Sequence, residues 1–137
     1  MKTLIAVRGV ANRGKSASIK EVYLLLKRAY PGAEFEDIFI GADITAIITI
    51  NGLKVGVESQ GDPNSRLFKS LPHFVRRGCQ VIICATRTRG ETVDLVNKYA
   101  DRYSVSWLDK SSAPNEDAAN RATALKILAM VQSSLGA

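Results

Sequence analysis

The sequence predicts an α/β domain of three layers: a mostly parallel sheet with helices on both faces and an antiparallel hairpin at one edge. Three observations carry that expectation. Residues 3–7 (T-L-I-A-V) and 81–85 (V-I-I-C-A) are continuous apolar runs, the character of strands buried on both faces. Strand-like and helix-like stretches alternate, as parallel strands joined by crossover helices require. Residues 44–50 and 53–57 are β-rich arms flanking Asn51-Gly52, the signature of a two-residue hairpin turn.

Each element follows in chain order. Behind the first strand, Ile19, Val22, Tyr23, Leu26 and Ala29 recur at helical spacing until Pro31-Gly32 stops the run. Residues 34–41 are acidic and then apolar, a loop feeding a short strand. The hairpin comes next, and its second arm runs into Glu58-Ser59-Gln60-Gly61-Asp62-Pro63, where turn chemistry begins. A helix is expected over 64–77, with Leu67, Phe68, Leu71, Phe74 and Val75 apolar and Pro72 a site of bending. The strand at 81–85, a loop ending at Gly90 and a helix from Glu91 to about Tyr103 repeat the order. A strand over 103–108, a loop over 109–114 and a helix over 115–135 complete it, with Ala118, Ala122, Leu125, Leu128, Val131 and Leu135 on the helix's apolar face.

The chain has 137 residues, 46% of them hydrophobic, enough for a single domain over 1–137 to bury a core without disulfides or metal. Cys79 and Cys84 have no metal-site spacing and are expected as buried free thiols in a reducing compartment. No secretory core or membrane-length apolar run is present, so a soluble, cytoplasmic protein without membrane partners is expected. The formal charge of +6 points to an anionic partner. Its basic residues are scattered, and no DNA-reading motif or aromatic platform accompanies them, which leaves nucleic acid binding open without a motif to support it.

Function concentrates at Gly9-Val10-Ala11-Asn12-Arg13-Gly14-Lys15-Ser16, a complete G-x-x-x-x-G-K-S element between the first strand and the first helix. A glycine-rich turn exposes backbone N–H groups that converge on a polyphosphate, and the following helix adds its positive end. The chain therefore resembles the P-loop NTPase superfamily. The resemblance implies a nucleotide-binding domain in which Gly9, Asn12, Arg13, Gly14, Lys15, Ser16 and Ala17 cradle the phosphates. Lys15 would serve the β and γ phosphates, and the Ser16 hydroxyl would hold Mg²⁺.

An acidic group at the end of another strand should complete the metal side, and Glu58 is the first choice. Glu58-Ser59-Gln60-Gly61 is similar to the D-x-x-G element of small GTPases, with glutamate for aspartate. That likeness covers about residues 3–62 and implies a metal-linked Glu58 and a γ-phosphate-sensing Gly61. Asp43 or Thr45 is the candidate metal-facing switch residue. The N-K-x-D guanine reader of those proteins is missing, because Asn97-Lys98-Tyr99-Ala100 lacks the aspartate, so ATP is preferred to GTP. Asp109 is the candidate base contact. Arg87 and Arg89, after the strand at 81–85, are placed to stabilise charge on a phosphoryl group or to clamp an acceptor, with Arg13 and Arg66 as further candidates.

Four segments, 9–16, 58–62, 86–90 and 109–113, all follow strands and should converge on the carboxyl edge of the sheet. The resulting expectation is Mg²⁺-dependent binding of a nucleoside triphosphate with γ-phosphate hydrolysis or transfer, central residues being Lys15, Ser16 and Glu58. Two alternatives remain: a nucleotide-dependent switch acting through a protein partner, and an ATPase subunit associated with nucleic acid.

Overall fold

A computed structural model describes residues 2–9, 14–62, 65–110 and 115–136. In chain order the elements are β1 (Lys2–Arg8), α1 (Lys15–Ala29), β2 (Glu34–Ile40), β3 (Ile44–Ile50), β4 (Leu53–Glu58), α2 (Leu67–Arg76), β5 (Val81–Thr86), α3 (Glu91–Asn97), β6 (Tyr103–Asp109) and α4 (Glu116–Ser134). The six strands form one sheet in the order β2-β3-β4-β5-β1-β6.

The apolar runs end where they should. β1 lies between β5 and β6 and pairs parallel with both, and its Leu4, Ile5, Ala6 and Val7 are fully buried. β4 pairs parallel with β5, so four neighbouring strands share one direction and one carboxyl edge. β3 is antiparallel to both β4 and β2. At the β3–β4 turn Asn51 and Gly52 have φ of 50° and 83°, the paired positive angles that a tight hairpin of this twist demands. β2 and β6 are the edge strands, and β2 is exposed along nearly its whole length and interrupted by an irregularity between Asp37 and Phe39.

Strand alternation divides the interior into two cores. Ile5 and Val7 of β1, Val55 and Val57 of β4, and Ile83 of β5 meet α1 and α4 on one face. Leu4 and Ala6, Ile82 and Cys84 meet α2 and α3 on the other, where Leu67, Leu71, Phe74, Leu95 and Val96 are buried. Cys79 and Cys84 are both buried free thiols.

Several element boundaries differ from the sequence expectation. α2 is described from Leu67, a turn later than expected, and carries Pro72 inside it. α3 stops at Asn97 and gives way to tighter turns over 98–102, and Tyr103, expected at the helix end, begins β6 and donates its hydroxyl to the Cys79 carbonyl at 2.7 Å. In α1 the expected stripe is buried except for Ala29, which is exposed.

The face of α4 is the larger correction. Of the expected face Val131 is buried and Leu128 and Leu135 pack half-buried against the core, whereas Ala118, Ala122 and Leu125 are exposed, and Ala124 and Ile127 are buried instead. Apolar residues occur all round this helix, so spacing alone fits more than one stripe. The packing that selects between them is against α1, where Asn120 meets Ser18 and Arg121 pairs with Glu21 at 3.2 Å.

Truncation distinguishes the two faces. Ile127→Ala is expected to lower stability by about 2–4 kcal/mol, the range for deleting a buried aliphatic side chain, and Leu125→Ala by less than about 0.5 kcal/mol. Urea unfolding of both variants measures this, and equal losses would contradict the assignment of the buried face.

Candidate functional site

The chain leaves β1, β4, β5 and β6 at the same edge of the sheet, and the loops there are tied together by hydrogen bonds. Gly9 N–H donates to the Thr86 carbonyl at 3.1 Å, and Lys110 N–H donates to the Arg8 carbonyl at 2.8 Å. The end of β1 is thereby joined to the end of β5 on one side and to the exit from β6 on the other. The segment after β4 joins through Arg87, whose Nε donates to Asp62 at 2.9 Å.

α1 begins at this edge. Gly14 precedes it at φ 79°, in the left-handed region, and a Cβ there would lie 2.2 Å from the Asn120 side chain of α4. The positive φ favours glycine, and a side chain there would also have to displace the Asn120 amide. Lys15 opens the helix, is 6% exposed, and turns back along the end of the sheet so that its Nζ donates to the carbonyls of Gly9 and Thr86, each at 2.7 Å. The ammonium is therefore held by neutral oxygens. Burial lowers its pKa from 10.5 to about 8, with Asp62 acting to raise it and Arg87 to lower it.

Ser16 sits one residue on, and its hydroxyl donates to Asp43 Oδ1 at 2.9 Å. Asp43 accepts two more hydrogen bonds from the segment after β4 and lies in the field of Arg66, just before α2. Ser59 Oγ donates to Oδ1 at 2.9 Å, Gln60 Nε2 donates to Oδ2 at 3.3 Å, and Arg66 adds positive charge. Burial pushes the Asp43 carboxyl up, but the bonds from Ser16, Ser59 and Gln60 together with Arg66 outweigh it and hold the group below its ordinary value. Ser16 and Asp43 are hard oxygen donors side by side, a set suited to Mg²⁺. Among the described residues, no group of three or more His, Cys, Asp or Glu side chains forms a metal cluster.

Glu58 lies elsewhere. Strand alternation sends it to the α2 face with Gly56, and it is fully buried. Its carboxyl group accepts from Thr45 Oγ1 at 2.7 Å, from Ser70 Oγ and from Gln60 N–H at 3.1 Å, and Arg66 Nε stands 3.6 Å away. The carboxylate that meets Ser16 is that of Asp43. Thr45, the alternative switch residue, faces Glu58 and Arg66 and not Ser16. Gly61 is packed against the Ala85 backbone so closely that a Cβ would lie 2.3 Å from it.

The remaining expected residues are spread along the same edge. Ala17 is exposed on the first turn of α1. Asp109, at the end of β6, forms a two-bond pair with Arg8 at 2.6 and 3.2 Å, and Arg8 in turn stacks 4.7 Å from the Trp107 ring. The guanidinium hydrogen bond holds the Asp109 carboxyl below its ordinary range. Arg87 is half-buried in its pair with Asp62, and Arg89 is exposed. Asn12 and Arg13 lie outside the described residues, as do Pro63, Asn64 and 111–114.

Sequence reasoning missed Ser59 and Gln60, which it treated as spacers between Glu58 and Gly61, and Asn120, whose role depends on how α4 packs on α1. Among known proteins, no family model, no curated sequence and no solved structure matches this chain.

The Lys15 shift has a measurable consequence. Because the folded pKa is depressed, folding penalises the charged form; that cost is fully present below pH 8, where both states are protonated, and disappears as pH rises to 10.5. Replacing Lys15 with the neutral Met is therefore expected to favour stability relative to wild type more at pH 7 than at pH 10.5, by about 3 kcal/mol. Denaturant unfolding across that range checks it, and a pH-independent difference between the two proteins would refute the buried cation.

Proposed function

We propose that this protein is a P-loop NTPase that binds Mg²⁺ with a nucleoside triphosphate, ATP in preference to GTP, and cleaves or transfers the γ-phosphate. One observation carries the reading. A complete Gly-x-x-x-x-Gly-Lys-Ser element joins a central parallel strand to a helix, with its lysine buried against carbonyls and its serine on a carboxylate. A buried ammonium whose attracting carboxylate, Asp62, is already paired with Arg87 is a strong electrostatic receptor for a polyanion.

In this reading Lys15 exchanges its two carbonyl bonds for oxygens of the β and γ phosphates, and the first turn of α1 contributes N–H groups. Ser16 and Asp43 hold Mg²⁺, which neutralises charge on the phosphate chain. Asp43, and not Glu58, is thus the metal-linked acid. Glu58 is a positioning residue, fixing the Gln60 backbone and Arg66. Arg87 stands at the end of β5, close enough to perturb Lys15, and is the residue to stabilise transferring charge when released from Asp62.

A specific set of contacts also favours a switch function for the same site. Asp43 bridges Ser16 to Gln60, and Gln60 Oε1 accepts from Arg66 N–H at 2.7 Å, where α2 starts. Capture of Ser16 and Asp43 by metal would withdraw Gln60's partner and loosen that start. Slower hydrogen exchange at 65–70 without nucleotide than with it is the signature of this coupling.

Three variants test the assignment. Lys15→Ala is expected to abolish tight triphosphate binding with the fold retained, and unchanged affinity measured by calorimetry would refute the site. Asp43→Asn should weaken the Mg²⁺-dependent part of binding by about tenfold or more, whereas Glu58→Gln should keep nucleotide bound and slow γ-phosphate release. If Glu58→Gln alone abolished the Mg²⁺ dependence, the metal-linked role would return to Glu58. Because the free Lys15 pKa is about 8 and a bound polyphosphate raises it, affinity is expected to fall about tenfold per pH unit above pH 8. A flat pH profile from 7 to 10 for the wild type would count against Lys15 as the phosphate ligand.

A further inference from the structure

A concave site lies between β2 and α2, a cleft of about 510 Å³. Arg66, Lys69, His73 and Arg76 line it, at increments of three and four residues, so one face of α2 projects its basic side chains into the same space. Ile38 of the edge strand forms an apolar wall, and it is 47% exposed. The acid on the lining, Glu36, has both oxygens taken by Arg77, at 2.9 and 3.0 Å. The cleft is thus cationic with its own carboxylate already satisfied.

Arg66 is built into this site. Its guanidinium stacks 4.0 Å from the Phe39 ring, and its Nε donates to Thr45 Oγ1 at 2.9 Å. Its Nη2 is buried and has no hydrogen-bond partner among the described residues. A buried guanidinium N–H without an acceptor costs more than an exposed one, and a guanidinium fixed by stacking and by one hydrogen bond is already oriented to grip an anion.

We propose that the β2–α2 cleft is a binding site for a small phosphomonoester carrying an apolar group. The phosphate is nearly dianionic at neutral pH, which matches Lys69 and Arg76 together with Arg66, whose charge is shared with the Glu58 carboxylate 3.6 Å from its Nε. Arg66 and Arg76 offer forked donors to its oxygens, Lys69 adds a mobile charge, and the apolar part lies against Ile38. The volume is within the range of small-ligand sites. The cleft is built from residues other than Lys15, Ser16 and Asp43, and it meets that region at Arg66.

Phenyl phosphate is the probe, titrated calorimetrically into wild type, Lys15→Ala and the double variant Lys69→Gln/Arg76→Gln. Both altered side chains of the double variant are exposed, so its melting midpoint should stay near that of wild type. Wild type and Lys15→Ala are expected to bind alike at one saturable site. The double variant should bind at least about tenfold more weakly, the scale of losing charge-assisted hydrogen bonds. Phenol should not bind, and inorganic phosphate should bind less tightly than phenyl phosphate. Absence of saturable binding to wild type, or loss in Lys15→Ala with retention in the double variant, would overturn the proposal. A 5′-phosphorylated oligonucleotide binding far more tightly than phenyl phosphate, with the same dependence on Lys69 and Arg76, would also overturn it in favour of a nucleic acid surface.

Discussion

The Lys15 ammonium fastens the carboxyl edge of the sheet. It donates to the carbonyl that ends the exit from β1 and to the carbonyl that ends β5, while its own backbone starts α1. Three chain segments distant in sequence thus share one buried cation. Such a group is costly unless its donors are met, and here two peptide oxygens take two of its three N–H donors without cancelling its charge. The depressed pKa and the attraction towards anions have the same origin. The proposed nucleotide site depends on that charge being buried and oriented.

Around the cation, polar groups fall into two layers separated by the sheet's alternation. Ser16, Asp43, Ser59 and Gln60 form one network, and Glu58, Thr45, Ser70 and Arg66 form the other. Gln60 belongs to both, since its side chain reaches Asp43 while its backbone N–H donates to Glu58. One residue therefore ties the two networks together. The same segment continues into α2 through Arg66, so the carboxyl edge of the sheet and the β2–α2 cleft meet at one helix start.

The placement of Glu58 shows how far local pattern reaches. That an acid closes β4 is plain from the sequence, and so is the two-residue alternation that puts Val55 and Val57 on one side and Glu58 on the other. Which side faces α1 is not local information. It follows from β5 being inserted between β4 and β1, a parallel pairing between segments far apart in the chain. Asp43 sits in a short loop with no strand-end signature, and it reaches Ser16 only because β3 runs antiparallel beside β4. In α4 the failure was of another kind: an alanine-rich helix offers several apolar stripes, and contact with α1 selected one.

By itself, the sequence determined the alternation of strands and helices, the Asn51-Gly52 turn, the central buried runs and the joining of Gly14-Lys15-Ser16 to a helix start. These are properties of neighbouring residues, governed by backbone conformation and by the period of burial along one element. Only the tertiary structure decided the strand order, the face on which Glu58 lies, the meeting of Ser16 with Asp43 and the pairing of Asp109 with Arg8. Each of those depends on segments brought together across the sheet, where the gain from packing and hydrogen bonding between distant residues outweighs any local preference.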